Sequence, residues 1–154
     1  MRKANRIRQE QSKRELVLDT SVAMAWFFED EEVPYANHVE KALSGGACAI
    51  VPTLWHVEMA NALLMGLRRK RTTAEKLRDF VILMSDVPVV VDAFTHLHAW
   101  SGILVLAQSH GLSAYDAAYL ELAQRRNLPL ATLDKRLRTA ARAAGISLYI
   151  PKLG

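Results

Sequence analysis

Leu16-Val17-Leu18-Asp19-Thr20-Ser21 is a short apolar run that stops at a carboxylate and two hydroxyls. Consecutive apolar residues without polar alternation suit a strand buried on both faces, and a polar residue directly after such a strand stands where open parallel sheets bind ligands. The pattern recurs along the chain. Further apolar runs of strand length occupy residues 47–51, 88–91, 129–132 and 147–150. Between them lie stretches with helical spacing at 35–43, 52–69, 73–84, 93–109, 113–126 and 135–144. Strands alternating with helices predict an α/β fold, a parallel sheet flanked by helices. Gly45-Gly46, Gly111 and Gly145 fall just past predicted helix ends, and Pro52 suits a first helical turn.

A chain of 154 residues that is 51% hydrophobic and 23% charged has enough apolar side chain for one core, which excludes disorder and fibrous repeats and predicts a single domain. The formal net charge of +4 is local. Arg2, Lys3, Arg6, Arg8, Lys13 and Arg14 face only Glu10 and Glu15 in the first fifteen residues, so the rest of the chain sums to zero. Residues 1–14 therefore read as a basic N-terminal arm and residues 15–154 as the domain. No apolar run reaches the ~18 residues of a membrane span, and the N-terminus lacks the apolar stretch of a secretory signal. A cytoplasmic location with no membrane partner is expected. The single cysteine, Cys48, excludes an intramolecular disulfide and a paired-cysteine zinc site, and its apolar setting reads as core.

Four carboxylates fall where a parallel sheet places its ligands. Asp19 follows the first strand, Asp134 follows the run ending at Leu133, and Asp116 lies in the first turn of the helix near Ser113. Glu58 lies in the second turn of the helix after the second strand, with Leu54 and Met65 on its face. Each has a structural alternative. Asp19 or Thr20 can cap a helix, Asp134 can cap the next one, Ser113-Ala114-Tyr115-Asp116 matches a capping box, and Glu58 can face solvent. Together they map to one edge of the sheet. Clustered carboxylates repel, and an all-oxygen set neutralised by a cation suits Mg²⁺ or Mn²⁺ rather than zinc. Such a cation would clamp a phosphate and acidify a bound water.

Other chemistries lack their motifs. His56-Val57-Glu58 has no P-C-x-x-C partner, and His38, His56, His96, His98 and His110 show no ligand spacing. Arg68-Arg69-Lys70-Arg71 ends a predicted helix, where cations favour the dipole. Arg125, Arg126, Lys135, Arg136, Arg138 and Arg142 form a second basic zone suited to a phosphate backbone. Trp26-Phe27-Phe28 precedes the acidic run Glu29-Asp30-Glu31-Glu32, so it reads as core or protein interface rather than a base-stacking platform.

Over about residues 15 to 150 the chain resembles the PIN-domain ribonucleases, and within them the VapC toxins of type II toxin–antitoxin pairs. The resemblance is carried by Leu18-Asp19-Thr20-Ser21, Val51-Pro52-Thr53-Leu54-Trp55 through Glu58-Met59-Ala60-Asn61-Ala62-Leu63, Leu112-Ser113-Ala114-Tyr115-Asp116-Ala117-Ala118-Tyr119, and Leu130-Ala131-Thr132-Leu133-Asp134-Lys135-Arg136-Leu137. Four such motifs in order are specific. The resemblance implies a Mg²⁺- or Mn²⁺-dependent endoribonuclease with Asp19, Glu58, Asp116 and Asp134 as active-site acids and metal ligands, and Ser21 and Thr132 as supporting hydroxyls. It further implies an RNA substrate, a cognate antitoxin and a homodimer. The arm before Leu16 departs from the family pattern. A signalling receiver domain would need adjacent acids after an early strand and a lysine ending a later one, and neither occurs. A non-catalytic RNA-binding or regulatory module of the same fold is the remaining alternative.

Overall fold

Leu16, Val17 and Leu18 form a strand with no exposed face, and all three are fully buried. The computed structural model describes residues 14–28 and 33–151. In it, β1 (Glu15–Leu18), β2 (Cys48–Pro52), β3 (Val89–Asp92) and β4 (Leu130–Ala131) make one sheet in the order β3-β2-β1-β4. Every pairing is parallel, with Leu16 opposite Ala49, Ile50 opposite Val90 and Val17 opposite Leu130. Because β2 and β4 lie on opposite sides of β1, the crevice beyond the carboxyl ends of β1 and β4 is the switch point of the sheet.

Seven α-helices flank the sheet among the described residues: α1 (Thr20–Phe27), α2 (Pro34–Ser44), α3 (Trp55–Arg68), α4 (Ala74–Ser85), α5 (Leu104–His110), α6 (Ala114–Arg126) and α7 (Lys135–Ala143). Thr73 and Ser113 cap α4 and α6 by accepting the amides of Lys76 and Asp116. The strands, α1 and the middle of α6 supply most of one continuous core, so the chain is a single α/β domain. Residues 117–123 of α6 are buried without interruption, so this helix is covered on every side.

Four details differ from the sequence expectation. Helix α1 was not among the predicted helices, because Val22, Ala23, Met24 and Ala25 are buried in succession and leave no helical period to read. Pro52 ends β2, opposite Asp92, instead of opening α3; a strand end tolerates a residue without an amide hydrogen. The stretch 93–109 is broken into a 3₁₀ turn (Thr95–His98), a π turn (Ala99–Ile103) and α5. At Gly102 in that π turn, a Cβ would stand 3.2 Å from Glu121 Cγ. The fifth strand shrinks to one bridge between Leu130 and Leu148. β4 cannot lengthen to pair with it, since Thr132 and Leu133 turn aside to bond Asp19 and Ser21.

Cys48 is half-buried at the start of β2 rather than deep in the core. Trp26 and Phe28 do join the interior: the Trp26 indole donates to the Ala36 carbonyl at 2.8 Å, and Phe28 is buried. The expected basic arm lies outside the described residues except for Arg14, whose carbonyl accepts the Cys48 amide at 2.8 Å. The acidic run 29–32 also lies outside them. No described helix is long and apolar enough to cross a membrane.

Candidate active site

Where β1 ends, Asp19 is only 5% exposed. Its backbone stands at the N-cap of α1, but its side chain makes no capping bond. Instead Oδ2 accepts from the Ser21 hydroxyl at 2.6 Å and the Thr132 hydroxyl at 2.7 Å. The Ser21 hydroxyl oxygen in turn accepts the Leu133 amide at 3.0 Å, which ties the end of β4 to the end of β1. Oδ1 has only a long contact of 3.5 Å from Thr20. Both hydroxyls expected to support Asp19 therefore touch it.

The other three carboxylates arrive from three further segments. Glu58, half-buried on α3, accepts the Tyr119 hydroxyl at Oε1, 2.5 Å away. Asp116 sits in the first turn of α6, its amide bonded to Ser113. Asp134 is the N-cap of α7, with Oδ1 accepting the Leu137 amide at 2.8 Å. The capping alternative is realised for Asp134, whereas at Asp116 only the Ser113 half of the capping box forms, on the Asp116 amide, and both arrangements leave carboxylate oxygen to spare. Tyr119 was read only as part of a motif; its spacing of three from Asp116, which puts both on one helical face, was the available signal.

The electrostatics tie the four together. Burial is the largest influence on Asp19 and raises its pKa, against the hydrogen bonds from Ser21 and Thr132; the charges of Asp116 and Asp134 raise it further. Glu58 is raised by burial, with Asp19 and Asp116 adding to the rise and the Tyr119 bond opposing it. Asp116 is raised by burial and by Asp134, with Ser113 and Arg136 opposing. Mutual repulsion of this kind is relieved by a cation.

Asp19, Glu58 and Asp134 each commit one oxygen and keep the other without a short bond among the described residues. That all-oxygen donor set fits a hard divalent cation in chemistry. As the side chains stand, no three carboxylate, imidazole or thiol groups among the described residues are close enough to share a metal ion. Ligation would therefore require the free oxygens to turn inward.

The second basic zone divides in two. Arg125 turns away from solvent to hold Asp92 at 2.7 Å and Glu121 at 2.8 Å, Arg126 reaches Glu15, and Arg138 lies over the Tyr35 ring. Arg136 donates to the Gly111 carbonyl at 2.6 Å. Together with His110, Lys135 and Thr139 it lines a hollow of about 340 Å³. Of the first zone, Arg71 lies over the Phe28 ring, 4.3 Å from its centroid.

A model of the PIN domain matches residues 16–143. Among solved structures, the chain is similar to the crystal structure of PAE2754 from Pyrobaculum aerophilum. The TM-score is 0.61 and the identity 26%, over 82% of this chain and 78% of that one. No curated protein matches the sequence.

Proposed function

The chain belongs to the PIN domain family, and on that premise we propose that it is a Mg²⁺- or Mn²⁺-dependent endoribonuclease, the toxin of a toxin–antitoxin pair. PIN domains are generally nucleases. The observation that carries the metal-dependent reading is the gathering of Asp19, Glu58, Asp116 and Asp134 at the switch point of the sheet, with three of them raised in pKa. Asp19, Glu58 and Asp116 would hold the cation, with Asp134 assisting. When bound, a divalent cation neutralises a phosphodiester and makes water a better nucleophile.

The chain's own residues do the rest. Ser21 and Thr132 hold Oδ2 of Asp19 and leave Oδ1, with only its long contact to Thr20, for a cation. Asp134, fixed by the α7 cap, orients the attacking water with its remaining oxygen. Hydrolysis adds that water across one P–O bond of the RNA. The hollow at His110, Lys135, Arg136 and Thr139 accepts flanking phosphates, and Lys135 has no ion pair there among the described residues.

Two apolar surfaces support the reading of an antitoxin and a second copy as partners. A groove of about 380 Å³ between α3 and α4, lined by Trp55, Met59, Leu63, Phe80 and Met84, suits an antitoxin segment. Residues 93–115 contain no Lys, Arg, Asp or Glu, and Phe94, Leu97, Trp100, Leu104 and Val105 among them are exposed. An uncharged face can meet its own copy across a two-fold axis without repulsion, which suits a homodimer.

The test is cleavage of labelled RNA by the purified protein with Mg²⁺, Mn²⁺ or EDTA, beside Asp19→Asn. Cleavage that needs the cation and is lost in the variant is expected. Undiminished cleavage in EDTA sinks the metal-dependent reading, and RNA that is bound but uncut in Mg²⁺ moves the protein to the non-catalytic binding modules. The toxin reading expects growth arrest on expression without an antitoxin, relieved by Asp19→Asn.

A further inference from the structure

We propose that Tyr119 is a positioning residue that keeps Glu58 inside the acid cluster. The inference rests on the metal-dependent reading above and adds a residue to it. Glu58 sits half-exposed on α3, so water competes for its carboxylate. Burial, and then the charges of Asp19 and Asp116, disfavour the charged form of Glu58 where it stands. A glutamate left to these influences would turn to solvent. Among the described residues, the one side-chain hydrogen bond to its carboxylate comes from Tyr119, at 2.5 Å.

Tyr119 is suited to that task because it cannot follow Glu58 outward. Its side chain is fully buried, and the stretch of α6 around it is covered on all sides. A neutral phenol beside a carboxylate is the donor of the pair. Committing Oε1 to this fixed donor also decides which oxygen remains for a cation, namely Oε2. Asp116 and Tyr119 lie three apart on α6, so one helix delivers one carboxylate directly and holds a second through a hydrogen bond across to α3. Groups that orient a metal ligand without touching the metal are worth about 10–100-fold in affinity when removed.

The experiment measures Mn²⁺ binding to the RNA-free protein by calorimetry for the unaltered chain, Tyr119→Phe, Glu58→Gln and the double variant, with a thermal melt of each. Tyr119→Phe is expected to weaken Mn²⁺ binding about tenfold or more. In the Glu58→Gln background the same change should cost nothing further. Cleavage by Tyr119→Phe should recover towards the original rate at high Mn²⁺, whereas a merely structural tyrosine would lower the melting temperature without moving metal affinity.

Unchanged Mn²⁺ affinity in Tyr119→Phe, or an equal loss in both backgrounds, overturns the proposal while leaving the nuclease reading standing. Absence of Mn²⁺ binding by the unaltered protein overturns both. Should Tyr119→Phe fail to fold, Tyr119→Met takes its place in the same two backgrounds, since it also removes the hydroxyl and leaves Glu58 itself intact. A loss of Mn²⁺ affinity that disappears in the Glu58→Gln background supports the proposal, and retention of full affinity refutes it.

Discussion

Asp134 has two tasks at once, and the two can be separated by choice of substitution. Asparagine caps a helix about as well as aspartate, so Asp134→Asn should melt within a few tenths of a kcal/mol of the original yet cut RNA poorly. Asp134→Ala loses the bond to the Leu137 amide as well and should cost about 0.5–2 kcal/mol. Equal melting temperatures for the two variants would show that the cap contributes nothing. Asp116 offers a complementary contrast: the bond from its backbone amide to Ser113 survives substitution of the side chain, and burial with the Asp134 charge outweighs the help Ser113 gives its carboxylate. Asp116→Asn should therefore leave the metal-free protein as stable as before, or more so, since a repelling charge is gone. The same variant should lose the stabilisation that Mg²⁺ gives the original in a thermal melt. The positions of all four carboxylates were legible in the sequence because each adjoins a strand end or opens a helix, features that local pattern reveals. Tyr119 was not, since its bond to Glu58 joins residues 61 apart and a tyrosine among Ala117, Ala118 and Leu120 reads first as core, which it also is.

Burial on every side reads differently in a strand and in a helix. The runs of β1 and β2 stand out because strands covered on both faces are apolar throughout, whereas α1 is invisible because its middle is buried all round. The contact of α3 with the end of α1 was equally hidden. At Gly66 a Cβ would lie 2.7 Å from the buried Phe28 ring. Helix propensity alone favours Ala over Gly by about 1 kcal/mol, while overpacking costs about 1–3 kcal/mol. Gly66→Ala is expected to destabilise on balance, and a rise in melting temperature would show that Phe28 yields without cost. On α7, Lys135 tests the phosphate hollow. Lys135→Ala should raise the KM for RNA with little change in kcat and reduce the salt slope of binding by about one. An unchanged slope would mean that no phosphate rests there.

Across the whole molecule, Asp92 at the end of β3 and Glu121 on α6 are both nearly inaccessible, and Arg125 bridges them. Burial alone would raise Asp92; the Arg125 hydrogen bonds and charge override it and hold the carboxyl below its ordinary range. The stability from that shift is fully present above an unfolded aspartate pKa of about 3.9, and is lost as pH falls through the lower folded value. Arg125→Met reverses the sign: uncompensated burial raises Asp92, so the variant should lose stability as pH rises towards neutral. The cost near pH 7 should be about 3–5 kcal/mol, and chemical denaturation at pH 5 and pH 7.5 should show the variant losing stability across a window in which the Asp92 contribution of the original is constant. Glu121 and Arg125 are four apart on one helix, a local spacing, but nothing local announced Asp92, 33 residues from Arg125. At the uncharged face, Trp100 is 94% exposed. Trp100→Glu should turn a dimer into a monomer in sedimentation at equal concentration; an unaltered protein that is already monomeric would discard the homodimer.

The enclosure of α6 has a consequence for motion. Amides of a helix shielded on every side exchange with solvent only when the whole domain opens, whereas α4, with Phe80 as its only fully buried residue, can fray alone. In deuterium uptake, residues 117–123 should be the last to label and α4 among the first. Asp116 and Tyr119 ride on the slow helix, so the catalytic geometry should endure as long as the native state does, while the groove beside α4 breathes independently of it.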